Sequence, residues 1–262
     1  MTNKNSVTFE TKVYENDWEY ILKGNYLKKI ISNNNYNFDR RIVLINNVRN
    51  VEKVKKYAQL KVIEGVIDAF YVVEDYAHEA LTLFNLSKDS FNGGYYYSIA
   101  ELVSIYLCET DFLLHYSSDS FIVRTDVNWI DCAKKIFSQR NDILVANPTW
   151  NFRFNEAKKE SIAQIDDFYL GFGFSDQCFL IRTNDFRQKI YNEKHLDSQR
   201  YPLYGGELFE KRVDSYMRLN NKYRITHKKN TYVSLNFPKI KNKIKKYFYR
   251  KCFLYNRLNI TK

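Results

Sequence analysis

Glycine and proline are scarce, at 8 and 3 of 262 residues. No Gly/Ser-rich or Pro-rich linker divides the chain, which favours one domain over several joined by tethers. No apolar run approaches the roughly 20 residues of a membrane span. The opening MTNKNSVTFETKVYENDW lacks the apolar stretch of an export signal. The four cysteines, Cys108, Cys132, Cys178 and Cys252, form no CxxC pair. An even number leaves disulfides formally open. Without an export signal, buried free thiols and a cytoplasmic setting are expected. Acidic residues are missing from one place in particular: none follows Pro238, where nine Lys and Arg stand.

What is present points to a packed domain. Hydrophobic residues make up 45% and aromatics 17%, enough for a sizeable core. The net charge of +11 is uneven, because nine of those charges belong to the last stretch and the rest of the chain carries only +2. The expected division is a nearly neutral domain over 1–238 and a basic segment over 239–262. Uniformly basic nucleic-acid binders differ from this, and no nucleic-acid partner is expected. In the segment, Ile240, Ile244, Tyr247, Phe248 and Leu258 fall near one side of a helix and the lysines take the other. That pattern suits a helix lying peripherally on an anionic membrane surface. The competing reading is a terminal helix packed on the domain with a wet basic face.

Periodicity gives the order. Strand character at 6–14 is followed by a helical pattern at 17–34, with Trp18, Ile21, Leu22, Tyr26, Ile30 and Ile31 spaced for one face. A strand at 40–48, a helix at 50–65 with Asn50 as N-cap, a strand at 69–76, a helix over 98–107 and a strand at 112–116 follow. Alternation of this kind predicts an α/β fold: a mostly parallel central sheet with helices on both faces. Ligands of such sheets sit beyond the carboxyl ends of the strands. Farther on, strands are expected at 142–152, 174–183 and 223–235, and a helix over 205–220.

One strand end stands out. FLLHYSSDSFI (112–122) runs from large apolar residues straight into Ser117, Ser118 and Asp119. Serine and aspartate favour turns, so a plain turn is one reading and a site for a charged ligand is the other. The order in 92–122 is Gly-rich turn, helix, short acidic break, apolar strand, then a small-x-Asp cluster. This resembles the central segment of GT-A-fold glycosyltransferases, whose DxD motif occupies that last place. YGGELFEKRVDSYMRL (204–219) resembles a later helix start of the same family, and the likeness extends over roughly 6–235.

The resemblance implies a single GT-A (Rossmann-like) domain acting on a nucleotide-sugar donor and a hydroxyl of a glycan or lipid-linked acceptor. Donor contacts would come from Thr11, Tyr14 and Glu15 after the first strand, Asn46, Asn47 and Arg49 after the second, and Ser117, Ser118 and Asp119. A divalent cation, Mn2+ or Mg2+, would be held by Asp119 with His227 as a late ligand. Ser117 stands where the motif has its first aspartate, so Arg or Lys side chains in place of the metal are an equal alternative. Inversion would need a general base, with Glu210 first and Glu207 second. On a helix, Glu207, Glu210 and Asp214 would share a face, and Asp214 would pair with Arg218. A solvated helix face is the plain alternative. His115 is expected to be a core residue with a hydrogen bond. Two other functions compete: a nucleotidyltransferase on a related sheet, and a non-enzymatic surface-binding module driven by the basic segment. The first normally brings a Gly- and basic-rich phosphate loop near the amino terminus, and FETKVYENDW is not one.

Overall fold

The computed structural model describes residues 5–123, 127–202, 205–238, 240 and 243–249. Its strands are β1 (Val7–Val13), β2 (Arg40–Ile45), β3 (Ala69–Val72), β4 (Phe112–Tyr116), β5 (Ser120–Ile122), β6 (Ile143–Trp150), β7 (Ala163–Ile165), β8 (Phe168–Gly171), β9 (Cys178–Arg182) and β10 (Tyr223–Ser234). The helices are α1 (Trp18–Leu22), α2 (Tyr26–Ser32), α3 (Val51–Ile63), α4 (Ala77–Leu83), α5 (Tyr95–Leu107), α6 (Trp129–Gln139), α7 (Phe154–Lys159), α8 (Thr183–Phe186), α9 (Phe209–Leu219) and α10 (Lys243–Phe248).

The strands join in one sheet in the order β3-β2-β1-β4-β9-β6-β10-β8-β7, with β5 paired to β10. β3, β2, β1 and β4 are mutually parallel, and so are β6 and β10. β9 runs antiparallel between β4 and β6. Each face is covered. One side packs Phe9, Val13, Leu114 and Tyr116 against α1, α2, α3 and α6. The other packs Leu113, Phe179 and Ile181 against α4, α5 and α9. The parallel half is what the continuous apolar runs predict, because a strand buried on both faces cannot alternate with polar residues cheaply.

Several boundaries differ from the sequence reading. The single helix expected over 17–34 is two, broken at Gly24, whose φ of +152° lies outside helical space. The α9 helix begins at Phe209 rather than 205. The strand expected over 174–183 begins only at Cys178, leaving Asp176 in the loop before it. Asn50 caps α3 as expected, accepting from Lys53 N–H at 2.9 Å. Cys108, Cys132 and Cys178 are free thiols, and Cys252 lies outside the described residues.

Of the basic segment, Lys239, Lys241, Arg250, Lys251, Arg257, Leu258 and Lys262 also lie outside the described residues. Within α10, Ile244, Tyr247 and Phe248 are exposed. Among the described residues, no helix is long and apolar enough to cross a membrane.

Candidate active site

Two glycine turns bring the distant halves of the site together. The turn before α5 contains Gly93-Gly94, and the turn before α9 contains Gly205-Gly206. They pack backbone against backbone. Glu207 N–H donates to the Phe91 carbonyl at 2.9 Å. Phe209 N–H, an orphan donor of the α9 amino terminus, is accepted by Ser98 Oγ of α5 at 2.9 Å. Arg212 of α9 donates to the Ser90 carbonyl at 2.6 Å, and its guanidinium lies 4.7 Å from the Phe91 ring centroid. The amino-terminal turns of α5 and α9 are thus fixed side by side against the carboxyl end of β1.

Beneath them lies a cluster of charged side chains. Glu10 and Lys12 of β1 point to the α5 face of the sheet, and His115 of β4 is in register with Glu10. His115 Nδ1 is hydrogen-bonded to Glu10 Oε2, which also accepts from Ser104 Oγ of α5 at 3.1 Å. Lys12 is ion-paired to Glu101 of α5, and His115 Nε2 lies 3.9 Å from the same carboxylate. The imidazole stacks on Phe179, with centroids 4.7 Å apart. Glu10, Glu101 and His115 are fully buried. His115 is therefore the hydrogen-bonded core residue that its place on the strand suggested.

The rim of this cluster is Asp176 and Glu210, both half-buried. Glu210, in the first turn of α9, stands beside Asp176, whose backbone N–H lowers the Glu210 carboxyl less than burial raises it. Burial, then the neighbouring Asp176 carboxyl, pushes the Glu210 carboxyl up to about 9. Burial raises Asp176 as well, against the pull of Lys12. Burial opposes the Lys12 ammonium, but Glu101 and Asp176 outweigh it and hold its pKa above the ordinary lysine value. One cation cannot neutralise so many carboxyls, so Glu210 holds its proton at neutral pH while Asp176 is raised from its ordinary value. Such a group, half open to solvent, can take up or release a proton.

The strand ends that were expected to hold a donor lie at one edge of the sheet, because β1, β2 and β4 are parallel. Tyr14 is 41% exposed, and its N–H donates to Asp17 Oδ1 at 2.8 Å. Asp17 is buried. Burial pushes its carboxyl up to about 8, against the stabilising Ser118 hydroxyl. Glu15 accepts from Arg49 N–H at 2.8 Å and so ties the loops after β1 and β2 together. Arg49 itself is 88% exposed. Ser117 N–H donates to the Gln177 carbonyl at 2.9 Å, which joins the β4 turn to the Asp176 loop.

Other expected residues serve the framework. Thr11 is fully buried, in register with Val43 and Tyr116. Asn46 is buried and donates to the Tyr96 carbonyl at 3.0 Å, bracing the α5 amino terminus. Asn47 takes a left-handed conformation, φ +48°. Glu207 precedes the helix, and its carboxylate accepts from Lys211 at 2.8 Å. Because α9 starts at Phe209, Glu207 is off the helical lattice, and the three carboxylates do not share a face. Asp214 is buried and bonded to Arg218 at 2.9 Å, as expected, and to Ser198 at 2.6 Å.

The Asp119 cluster is a turn, with Ser120 N–H returning to the Ser117 carbonyl at 2.9 Å. Asp119 Oδ2 accepts from Ser234 Oγ at 2.7 Å and Asn236 N–H at 3.0 Å. His227 does not converge on it. His227 and Ser234 are seven residues apart on β10, which is four steps of the ladder once the register shift between His227 and Thr231 is discounted, roughly 13 Å. His227 Nδ1 accepts from Asn230 N–H at 3.0 Å, the ring lies edge-on to Phe168, and burial pushes its pKa down to about 4. Asp119 with His227 therefore does not form a metal set. Among the described residues, no three His, Cys, Asp or Glu are grouped to hold one.

No protein family's sequence profile matches the chain, and no curated protein does. Among solved structures, UDP-glucose pyrophosphorylase complexed with UDP-glucose is similar, with a TM-score of 0.51 and 10% identity over 96% of this chain and 99% of that one. The chain has a GT-A-like fold. Looser likenesses include glucosyl-3-phosphoglycerate synthase from Mycobacterium tuberculosis in complex with Mn2+, UDP and glucosyl-3-phosphoglycerate. That match has 10% identity, 89% and 73% of the two chains, and a TM-score of 0.45. The galactosyltransferase LgtC with donor and acceptor sugar analogs matches at 15% identity and a TM-score of 0.40, over 69% of this chain. This chain spans 59% of that galactosyltransferase's length. At such identities the likeness is one of fold.

Proposed function

We propose that the protein is a nucleotide-sugar-dependent glycosyltransferase whose proton acceptor is the Asp176–Glu210 pair. One observation carries this: two half-open carboxyls with raised pKa values stand beside Lys12 at the carboxyl end of the parallel strands. Ligands of such sheets bind there. The donor lies over the loops after β1, β2 and β4, its nucleoside against Tyr14 and its diphosphate within reach of Arg49. The acceptor oxygen attacks the anomeric carbon, the bond from that carbon to the diphosphate breaks, and the electron pair leaves with the nucleoside diphosphate. The hydroxyl proton passes to the ionised form of the carboxyl pair, whose negative charge Lys12 steadies until the proton arrives. Glu210 keeps the role expected of it, now shared with Asp176, while Glu207 is tied to Lys211. Ser118 and Asp119 shape the donor floor. No step is assigned to a metal, because the side chains gathered at Asp119 do not make a ligand set.

A second reading, nucleotidyl transfer, has the UDP-glucose pyrophosphorylase likeness in its favour. The loop after β1, Tyr14–Asp17, lacks the glycines and cations that would hold a triphosphate. The two reactions give different products. Incubation with a panel of nucleotide sugars, alone, with sugar acceptors and with pyrophosphate, separates them. Release of nucleoside diphosphate with acceptor supports glycosyl transfer. Formation of nucleoside triphosphate with pyrophosphate replaces that reading with the second.

A further inference from the structure

A cleft of about 420 Å3 opens between β6, β10, α7 and the loop that carries Asp176. Ser175 and Gln177 line its inner end, and Asp176 lies between them in the chain. Its floor is the carboxyl end of β6 with β10, through Asn147, Thr149 and Thr226, and its outer wall is Trp150 with α7. The size falls within the roughly 300–1,000 Å3 of small-molecule sites.

The charges inside it are balanced. Arg153 pairs with Glu156 at 3.1 Å and Arg224 approaches Glu160 at 3.7 Å, so neither sign is left in excess. What remains is amide and hydroxyl chemistry: Gln177 and Thr226 can donate and accept in turn, while the Thr149 hydroxyl and the Asn147 amide already donate to the His227 and Pro148 carbonyls and offer mainly their oxygens. Arg224 Nε is buried without a hydrogen-bond partner, a donor that a ligand oxygen would satisfy. At the outer wall, Trp150 is 38% exposed, with the Arg153 guanidinium 4.5 Å from its ring centroid, so one face of the ring is taken and the other is left for an apolar ligand face. A flat ring beside alternating donors and acceptors, with cancelled charge, matches a sugar: apolar on its C–H face and hydroxylated at its edge.

We infer that this cleft holds the acceptor, a neutral glycan whose terminal hydroxyl reaches the Asp176–Glu210 pair. The inference rests on the glycosyl-transfer reading for the role of the glycan, but the site itself can be tested without turnover. Trp18 and Trp129 are buried, so acrylamide quenching of tryptophan fluorescence reports mainly on Trp150.

The experiment titrates the full chain with neutral di- to tetrasaccharides (cello-, malto-, chito- and lacto-series) and with oligogalacturonates, while calorimetry follows nucleotide-sugar binding to the same samples. Neutral glycans should shield Trp150 from quenching. Saturation-transfer NMR on the sugar should show affinity falling roughly tenfold in Trp150→Ala. Thr226→Val, which removes only a hydroxyl, should weaken it independently. Shielding by the galacturonates alone, or by no glycan, overturns the inference, and nucleotide-sugar binding in those samples would leave the transfer reading standing. Shielding by neutral glycans without any nucleotide-sugar binding supports the glycan site and removes the transfer reading.

Discussion

The carbonyl oxygen of Gly205 stands 2.0 Å from where a Cβ on Gly94 would be. Both the obstacle and its support are backbone, so neither can swing aside as a flexible side chain would. The contact sets α5 against α9, and through them Glu101 against Glu210. Gly94→Ala should force the two turns apart and destabilise the protein by about 1–3 kcal/mol, the usual cost of overpacking. Urea denaturation measures it. An unchanged midpoint would mean that the turns separate freely and do not fix the site.

Asp119 has a structural duty that its place in the sequence did not announce. Its carboxylate holds Ser234 Oγ and Asn236 N–H at the far end of β10. The resemblance read from the sequence gives it a donor contact and a place in a cation site. The geometry predicts that Asp119→Ala lowers stability by about 1–3 kcal/mol, since it leaves those donors without their acceptor. Chemical denaturation and nucleotide calorimetry on the same variant separate the two effects. Full stability with lost affinity would restore the pure donor role.

The fold was legible where burial is symmetric. Apolar runs such as RIVLI in β2 need cover on both faces, and that fixes a parallel sheet. The two glycine-led segments were legible too, though not that they touch, because their contact is made by backbone atoms from residues about a hundred positions apart. The cluster beneath them was missed. In VTFETKV, Glu10 and Lys12 look like the wet face of an edge strand, yet β1 is central and Glu10 is fully buried. The available signal was the conflict itself: charges on a strand whose neighbours are apolar must pair inward. Glu101, alone in the apolar run SIAELVSIYL, carried the same signal. Asp176 was hidden because its loop was read as strand.

Glu210 should matter through proton transfer rather than binding. Glu210→Gln keeps the size of the side chain and removes its charge. It should lower kcat by roughly 10²–10⁴-fold with little change in donor affinity. With Glu210 pushed up to about 9, activity should climb on the alkaline side as the carboxyl pair loses its proton. The variant should lose that limb. A pH–rate profile with the same alkaline rise in both proteins would remove Glu210 from the reaction.

Asp17 predicts how stability varies with pH. Its carboxyl is pushed up to about 8 in the fold by burial, against an ordinary value near 3.8. A group raised in the folded state stabilises fully below its unfolded pKa, and that contribution is lost as pH rises through the folded pKa. The unfolded chain ionises first, so the protein should weaken from about pH 4 to pH 8. Asp17→Asn cannot ionise and still offers an oxygen to Tyr14 N–H. The variant should match the wild type near pH 4, then become progressively the more stable of the two up to pH 8, where the difference levels off. Urea midpoints at pH 4.5, 6, 7.5 and 9 test this. Parallel curves for the two proteins would show that Asp17 is already ionised in the fold, held by the Ser118 hydroxyl and the Tyr14 N–H more strongly than burial opposes it.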